Sequence, residues 1–136
     1  MTENKEEVKS EHKTEVPVSF EQMIENEIKA KGVDAPRVTK EHVDALFKQI
    51  KIIIGQITET RILATAYLDG FAIADGFSSP IDPKNFDEQI GIKLAQKKCA
   101  TAAYDKLWEL EGYRLSRSLV EQKQSQSNEP AEQAVS

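Results

Sequence analysis

Two arginines near the C-terminal end of the chain have the type and spacing needed to bind a phosphate group. Arg114 and Arg117 are three residues apart, so on a helix their side chains share one face. Guanidinium groups bind phosphate through paired N–H donors, and the neighbouring Tyr113 could stack on a base. The same residues also suit a solvated last helical turn, where cations complement the helix dipole. These residues alone leave both interpretations open.

Phe86 is a further candidate for ligand binding. It stands in the run NFDE, which is typical of the first turn of a helix. The free amides at a helix N-terminus favour anions, so an aromatic ring there suits a nucleotide. The same side chain could instead be an ordinary core residue. The candidate ligand-binding residues are therefore Phe86, Arg114 and Arg117.

The residues that most often perform catalysis or bind metals are not arranged to do so. The two histidines are His12, in a polar tail, and His42, in the first turn of a predicted helix, while the only cysteine is Cys99. No His and Cys pair occurs at metal-ligand spacing. No nucleophile–base set or glycine-rich phosphate loop is recognisable. We expect a protein that is not an enzyme and that has no metal and no cofactor.

Composition predicts one domain between two polar tails. The 136 residues carry a formal net charge of −5, which argues against a nucleic-acid partner. Residues 1–17 and 122–136 are so poor in apolar side chains that we expect them to be disordered, leaving residues 18–121 as the folded domain. No apolar run is long enough to span a membrane, and the N-terminus lacks the pattern of a secretory signal. The expected location is the cytosol of the cell that makes the protein.

Two short helices are predicted before the first run of β-branched residues. The first begins at a capping box formed by Ser19 and Gln22 and ends at Gly32 in a left-handed conformation. The second follows a cap at Thr39 and covers residues 40–51. Residues 52–54, Ile-Ile-Ile, either extend this helix or begin a strand, and the following glycine closes the segment.

A β-hairpin is predicted around Asp69-Gly70, which separates the β-rich runs TRILATAYL and FAIADGF. A type I′ turn needs positive φ at both central residues, and Asp-Gly supplies it. Alternation places Ile62, Ala64, Ala66 and Leu68 on one face of the first strand and Arg61, Leu63, Thr65 and Tyr67 on the other. Because the second face is half apolar, we expect both faces to be covered in part. Gly76 is predicted to mark a bulge.

The last element is a long helix capped by Asn85, with Asp87 and Glu88 in its first turn. Its predicted apolar stripe contains Phe86, Ile90, Leu94, Thr101, Tyr104 and Trp108 and continues beyond an interruption at Gly112. Unbroken to residue 121, this helix would exceed ~50 Å, whereas a domain of this size has a radius of gyration near ~13 Å. The helix must therefore turn back at Gly112 or pack on a second copy, and we favour a dimer of interlocked kinked helices. The predicted class is α+β.

Three segments together resemble a known family. The runs AKGVDAPRVTKEHVDALFKQI, SPIDPKNFDEQIGIKLAQ and KLWELEGYRL are similar to the small phage proteins of the N4 gene 49 / Sf6 gene 66 family. The resemblance covers the chain from about Phe20 to Leu119. That family is in turn similar to the first family of Thoeris anti-defence proteins.

The second resemblance implies a function. It implies a homodimeric sponge that sequesters a cyclic ADP-ribose isomer, so that the host's immune effector is not triggered. It assigns the aromatic of the pocket to Phe86 and the arginines to Arg114 and Arg117, drawn from two protomers, although the arginines it implies are four residues apart rather than three. Two other functions stay open: a phage protein that binds and inhibits a host protein, and a structural accessory protein without a small ligand.

Overall fold

The computed structural model describes the backbone of residues 19–135 and the side chains of residues 19–127. The elements follow in the order α1 (Phe20–Ala30), α2 (Lys40–Phe47), β1 (Lys51–Gln56), β2 (Ile62–Leu68), β3 (Phe71–Ser78), a 3-10 turn (Pro83–Asn85) and α3 (Glu88–Val135). Helices and a three-stranded antiparallel sheet confirm the α+β class. By its contacts the chain divides into a first unit that ends at Ala35 and a second that begins at Pro36.

The first unit holds α1, whose two ends follow the predicted signals. Ser19 accepts a hydrogen bond from the amide of Gln22, as predicted. The Gln22 side chain donates to Asn26 instead of reaching back, so only half of the capping box forms. Gly32 has φ +69°. Its amide bonds to the carbonyl of Lys29 and that of Val33 to Ile28, which is the Schellman arrangement that commonly ends a helix.

In the second unit, α2 is shorter than predicted because the β-branched run after it forms a strand. Thr39 caps the helix by accepting from the amide of His42, as predicted. The helix ends at Phe47, not at residue 51. Residues 52–54 lie in β1, which pairs with β2 over its whole length. Gly55 lies inside this strand, paired with Leu63, and does not close it. Pairing with β2 decides the helix-or-strand ambiguity in favour of the strand.

The hairpin between β2 and β3 has the predicted turn. Asp69 and Gly70 have φ values of +52° and +81°, as a type I′ turn requires. The bulge is at a different residue from the one predicted. Tyr67 pairs with Ala72 and Ala66 with Ala74, so Ile73 is the extra residue. Gly76 pairs regularly with Ala64.

Gly76 is required for another reason, which is the close approach of α3. A Cβ at this position would meet the backbone of Cys99 and would lie 2.6 Å from the carbonyl oxygen of Ala95. Ala95, Cys99 and Ala103 are fully buried and pack on the face of β2 formed by Ile62, Ala64 and Ala66. Small side chains on both surfaces allow the helix to approach the sheet closely, and this helix–sheet seam is the core.

The seam is not the stripe predicted for the long helix. Ile90 and Leu94 belong to the predicted apolar stripe, and in the single chain their side chains are 58% and 49% exposed. The larger apolar residues thus remain outside, because only small residues fit against β2. The N-terminus of α3 also differs from the prediction. Asp87, not Asn85, caps it by accepting from the amide of Ile90, so the predicted capping box at Asn85 does not form.

The helix α3 does not end at Gly112. It is a single helix from Glu88 to Val135, so the predicted interruption is wrong. Residues 121–127 are all exposed, and the disorder predicted for residues 122–136 stays a prediction. The tail of residues 1–17 lies outside the described residues. No helix of the described part is long and apolar enough to cross a membrane.

Candidate functional site

A cavity of about 380 Å³ lies in the second unit, between the segment that leads into α2 and the middle of α3. The segment before α2 and the first turn of α2 contribute Arg37, Val38, Thr39 and His42 to its lining. The helix α3 contributes Glu111, Arg114, Leu115 and Ser118. Its volume is in the range of small-molecule sites. Two guanidinium groups, an imidazole, two hydroxyl groups and one carboxylate surround two apolar side chains. Because the two guanidinium groups outnumber the carboxylate, the lining suits an anionic ligand with an apolar part.

Local structure explains why these side chains converge. Thr39 caps α2 and thereby holds His42 in the first turn, one residue after Glu41. On α3, the lining residues follow one another at intervals of three, one and three positions, which places them on one helical face. A cluster of buried side chains holds the two helices together. Val43 is fully buried, and Phe47 packs edge-on against Tyr104 with ring centroids 5.4 Å apart.

A polar contact also joins α2 to α3 beside the cavity. The Tyr104 hydroxyl donates to Asp44 at 2.7 Å, and the Lys40 ammonium lies 2.5 Å from the same carboxylate. Burial would raise the pKa of Asp44, but the hydrogen bonds from Lys40 and Tyr104 outweigh it and lower that pKa. Burial and the bond to Asp44 raise the pKa of Tyr104. Asp44 is therefore ionised and Tyr104 neutral near pH 7.

Glu111 is the carboxylate that pairs with two other side chains of the cavity lining. Its side chain is only 13% exposed, and its carboxylate lies 2.8 Å from Nη2 of Arg114 and 2.5 Å from Nε2 of His42. The bond from Arg114 lowers the pKa of Glu111, against the effect of burial and with a smaller contribution from His42. Glu111 therefore carries its negative charge at neutral pH and holds the side chains of Arg114 and His42 at the cavity wall.

The structure separates the three predicted ligand-binding residues. Arg114 lines the cavity with a side chain that is 71% exposed. Arg117 does not line it and instead pairs with Glu121 at 3.4 Å. Phe86 precedes α3 in extended conformation and is half-buried against the core. Its exposed part borders a second cavity of about 220 Å³ with Ser78, Ile90, Leu94 and Lys98.

Phe86 and Arg114 are far apart within one chain. They are separated by 28 positions, nearly all within α3, and at ~1.5 Å per residue this corresponds to about 40 Å. One straight helix cannot bring its own two ends together. A pocket that uses both residues therefore requires two chains.

Sequence reasoning missed Arg37, His42 and Glu111. Arg37 stands in the first of the three segments that carry the family resemblance, but no role was predicted for it. His42 was considered as a metal ligand or catalytic residue and not as a partner for a carboxylate. The pairing of His42 with Glu111 joins positions 69 residues apart, and no local pattern specifies it.

The fold and the cavity describe a small α+β protein with a cationic site on a long helix. Residues 20–119 match the model of the phage protein (N4 Gp49/phage Sf6 gene 66) family. Because this match covers more than half of the chain, the chain belongs to that family of bacteriophage proteins, which confirms the first resemblance. No curated protein and no solved structure matches the chain.

Proposed function

We propose that this phage protein is a non-catalytic sponge that sequesters a cyclic nucleotide immune signal, a cyclic ADP-ribose isomer, in the host cytoplasm. The observation that supports this most is the cavity in which Arg37, His42 and Arg114 surround about 380 Å³ next to the apolar Val38 and Leu115. Arginines bind the pyrophosphate of such a ligand through paired donors, and the apolar wall accepts a base or sugar.

Two features of α3 support a dimer as the active form. Phe86 and Arg114 can share a ligand only if the helix start of one chain meets the middle of the helix of another. An apolar stripe is also available for that contact. Ile90 and Leu94 are exposed. Further along the same face of α3, Leu115 and Leu119 border an open groove of about 360 Å³. In the proposed dimer, this stripe packs against its counterpart.

Ligand binding is tested by isothermal titration and thermal unfolding of the full chain with cyclic ADP-ribose isomers, cyclic dinucleotides and cyclic trinucleotides. A hundredfold excess over Kd is expected to add about 2.7 kcal/mol to the free energy of unfolding. Arg114→Ala and Phe86→Ala should each abolish this gain, whereas Lys97→Ala, at an exposed residue that lines neither cavity, should not. The ligand recovered after denaturation should be chemically unchanged. Absence of heat with every probe would remove the sponge function.

The dimer is tested separately by sedimentation equilibrium at micromolar concentration. Leu94→Lys together with Leu119→Lys places charge on the stripe and is expected to yield a folded monomer that no longer binds the ligand. Lys93→Glu, at an exposed position that borders none of the three cavities, serves as the surface control. A wild-type protein that sediments as a single chain would contradict the shared pocket.

Binding to a host protein is the second candidate, favoured by the sheet. Both β1 and β3 are edge strands of the described sheet. Ile53 on β1 is 63% exposed, and Phe77 on β3 is 46% exposed. Exposed edges accept an added strand from a partner. A stoichiometric host partner that is retained by wild type and lost with Ile53→Lys would favour this function over the sponge.

A further inference from the structure

Glu111 is the one carboxylate among the described residues that line the cationic cavity. Both of its oxygens are engaged. Arg114 donates to Oε1 from Nη2 at 2.8 Å and from Nε at 3.2 Å, and Nε also lies 3.3 Å from Oε2. The imidazole of His42 contacts Oε1 as well. The site therefore contains a fixed negative charge on the same side chain that orients Arg114 and His42.

The negative charge of Glu111 repels phosphate groups to different degrees, depending on the charge of the phosphate. A terminal phosphate carries about −1.5 to −2 at neutral pH, because its second pKa is about 6. A phosphate within a diester or a substituted pyrophosphate has no such second ionisation. Any phosphate that contacts Arg114 also approaches the carboxylate of Glu111, and the repulsion grows with the charge of the phosphate. Low exposure of Glu111 keeps this repulsion from being fully screened by solvent.

We infer that Glu111 is a specificity-determining residue that makes the cavity reject nucleotides with a terminal phosphate and accept those whose phosphates are all esterified. The inference rests on the proposed nucleotide site and narrows its ligand class. A cyclic nucleotide has no terminal phosphate, whereas the mono-, di- and triphosphates that are abundant in a cell all have one. The carboxylate thus prevents abundant cellular nucleotides from occupying the site.

The test uses two probes that share adenosine and a pyrophosphate: ADP, which has a terminal phosphate, and ADP-ribose, in which that phosphate is esterified. Isothermal titration of the full chain is expected to show that Glu111→Gln binds ADP at least tenfold more tightly than wild type does. The affinity for ADP-ribose should change by no more than threefold. Glu111→Ala, which lacks both the charge and the amide, should show the same gain for ADP.

Glu109→Gln is the matched control, because Glu109 is an exposed carboxylate on the same helix that pairs with Lys106 and does not line the cavity. It should leave both affinities unchanged. Thermal unfolding of each variant verifies that it is folded. An unchanged or lower ADP affinity in both Glu111 variants would overturn the inference, as would equal gains for the two probes.

The outcome can be distinguished from failure of the sponge function. If cyclic ADP-ribose isomers do not bind wild type but Glu111→Gln gains affinity for ADP, the specificity role stands and the sponge function fails. If the isomers bind and the ADP affinity of the variant does not rise, the site is a sponge whose selectivity does not come from Glu111.

Discussion

The two halves of α3 have the same backbone conformation but different surroundings. From Gly91 to Leu107, every fourth residue is buried against the sheet or α2, and four of these five side chains are small. Beyond Leu107 no side chain of the described residues is fully buried, and the helix instead presents the Glu111 and Arg114 wall of the cavity and the Leu115–Leu119 groove. One continuous helix thus packs on the sheet at one end and lines the candidate site at the other.

The largest difference in stability between the two halves of α3 is expected when alanine replaces a glycine: Gly76, which faces the first half, or Gly112, which lies in the second. Gly76→Ala places a methyl group against the backbone of the first half of α3. Because neither the strand nor the helix backbone can move without disrupting its hydrogen bonds, we expect the free energy of unfolding to fall by about 3 kcal/mol or more. Gly112→Ala, in the second half, meets nothing within 4 Å and should stabilise the helix by about 0.5–1 kcal/mol. Urea unfolding measures both, and equal effects would contradict the comparison.

Two leucines provide the next test. Leu107→Ala removes a side chain that is 1% exposed and should cost about 2–5 kcal/mol, through lost burial and the remaining cavity. Leu119→Ala removes a side chain that is only partly buried and should cost less than about 1 kcal/mol in the monomer. The measurement is thermal unfolding at low protein concentration, so that association does not contribute. A large loss for Leu119→Ala in a monomer would show that the distal half is packed after all.

The smallest effect is expected at Asp44, which joins α2 to the boundary between the halves. Its pKa is lowered in the folded state, so its stabilisation is full above the unfolded pKa of about 4 and is lost as pH falls through the lower folded pKa. Because Asp44 is partly exposed, Asp44→Asn should cost only about 1 kcal/mol at pH 7.

That difference between wild type and Asp44→Asn should disappear once the pH falls below the lowered pKa. Asp105→Asn, at an exposed position on α3, is the control and should match wild type throughout. Urea unfolding as a function of pH gives the comparison. A difference that persists in acid would mean that the Asp44 contacts do not depend on its charge.

Local signals predicted the ends of several elements but not the packing. Caps at Ser19 and Thr39 and the Asp69-Gly70 turn were identified because each depends on hydrogen bonds or dihedral angles of adjacent residues. The length of α3 was recognised, and its predicted apolar stripe contained large residues such as Ile90 and Leu94, whereas the face that is buried carries small ones. Periodicity gives several possible apolar faces, and only the distance to the sheet selects the one with small residues.

The candidate site was found only in part for the same reason. Arg114 was identified from its type and spacing, and it does line the cavity. The contribution of Arg37 and His42 depends on how α2 docks on α3, and that docking is fixed by contacts such as Phe47 with Tyr104, 57 positions apart. The joint role of Phe86, Arg114 and Arg117 stays a prediction.

By itself, the sequence determined the family, the α+β class, the hairpin turn, both ends of α1 and the cap of α2, because motifs, turn chemistry and caps act over a few neighbouring residues. The tertiary structure alone decided that residues 52–54 form a strand, that Gly76 lies under α3, and that Glu111 joins His42 and Arg114. Each of these depends on a neighbour that is distant in the chain, and the free energy of such contacts is set by close packing and by electrostatics between elements, which no local pattern records.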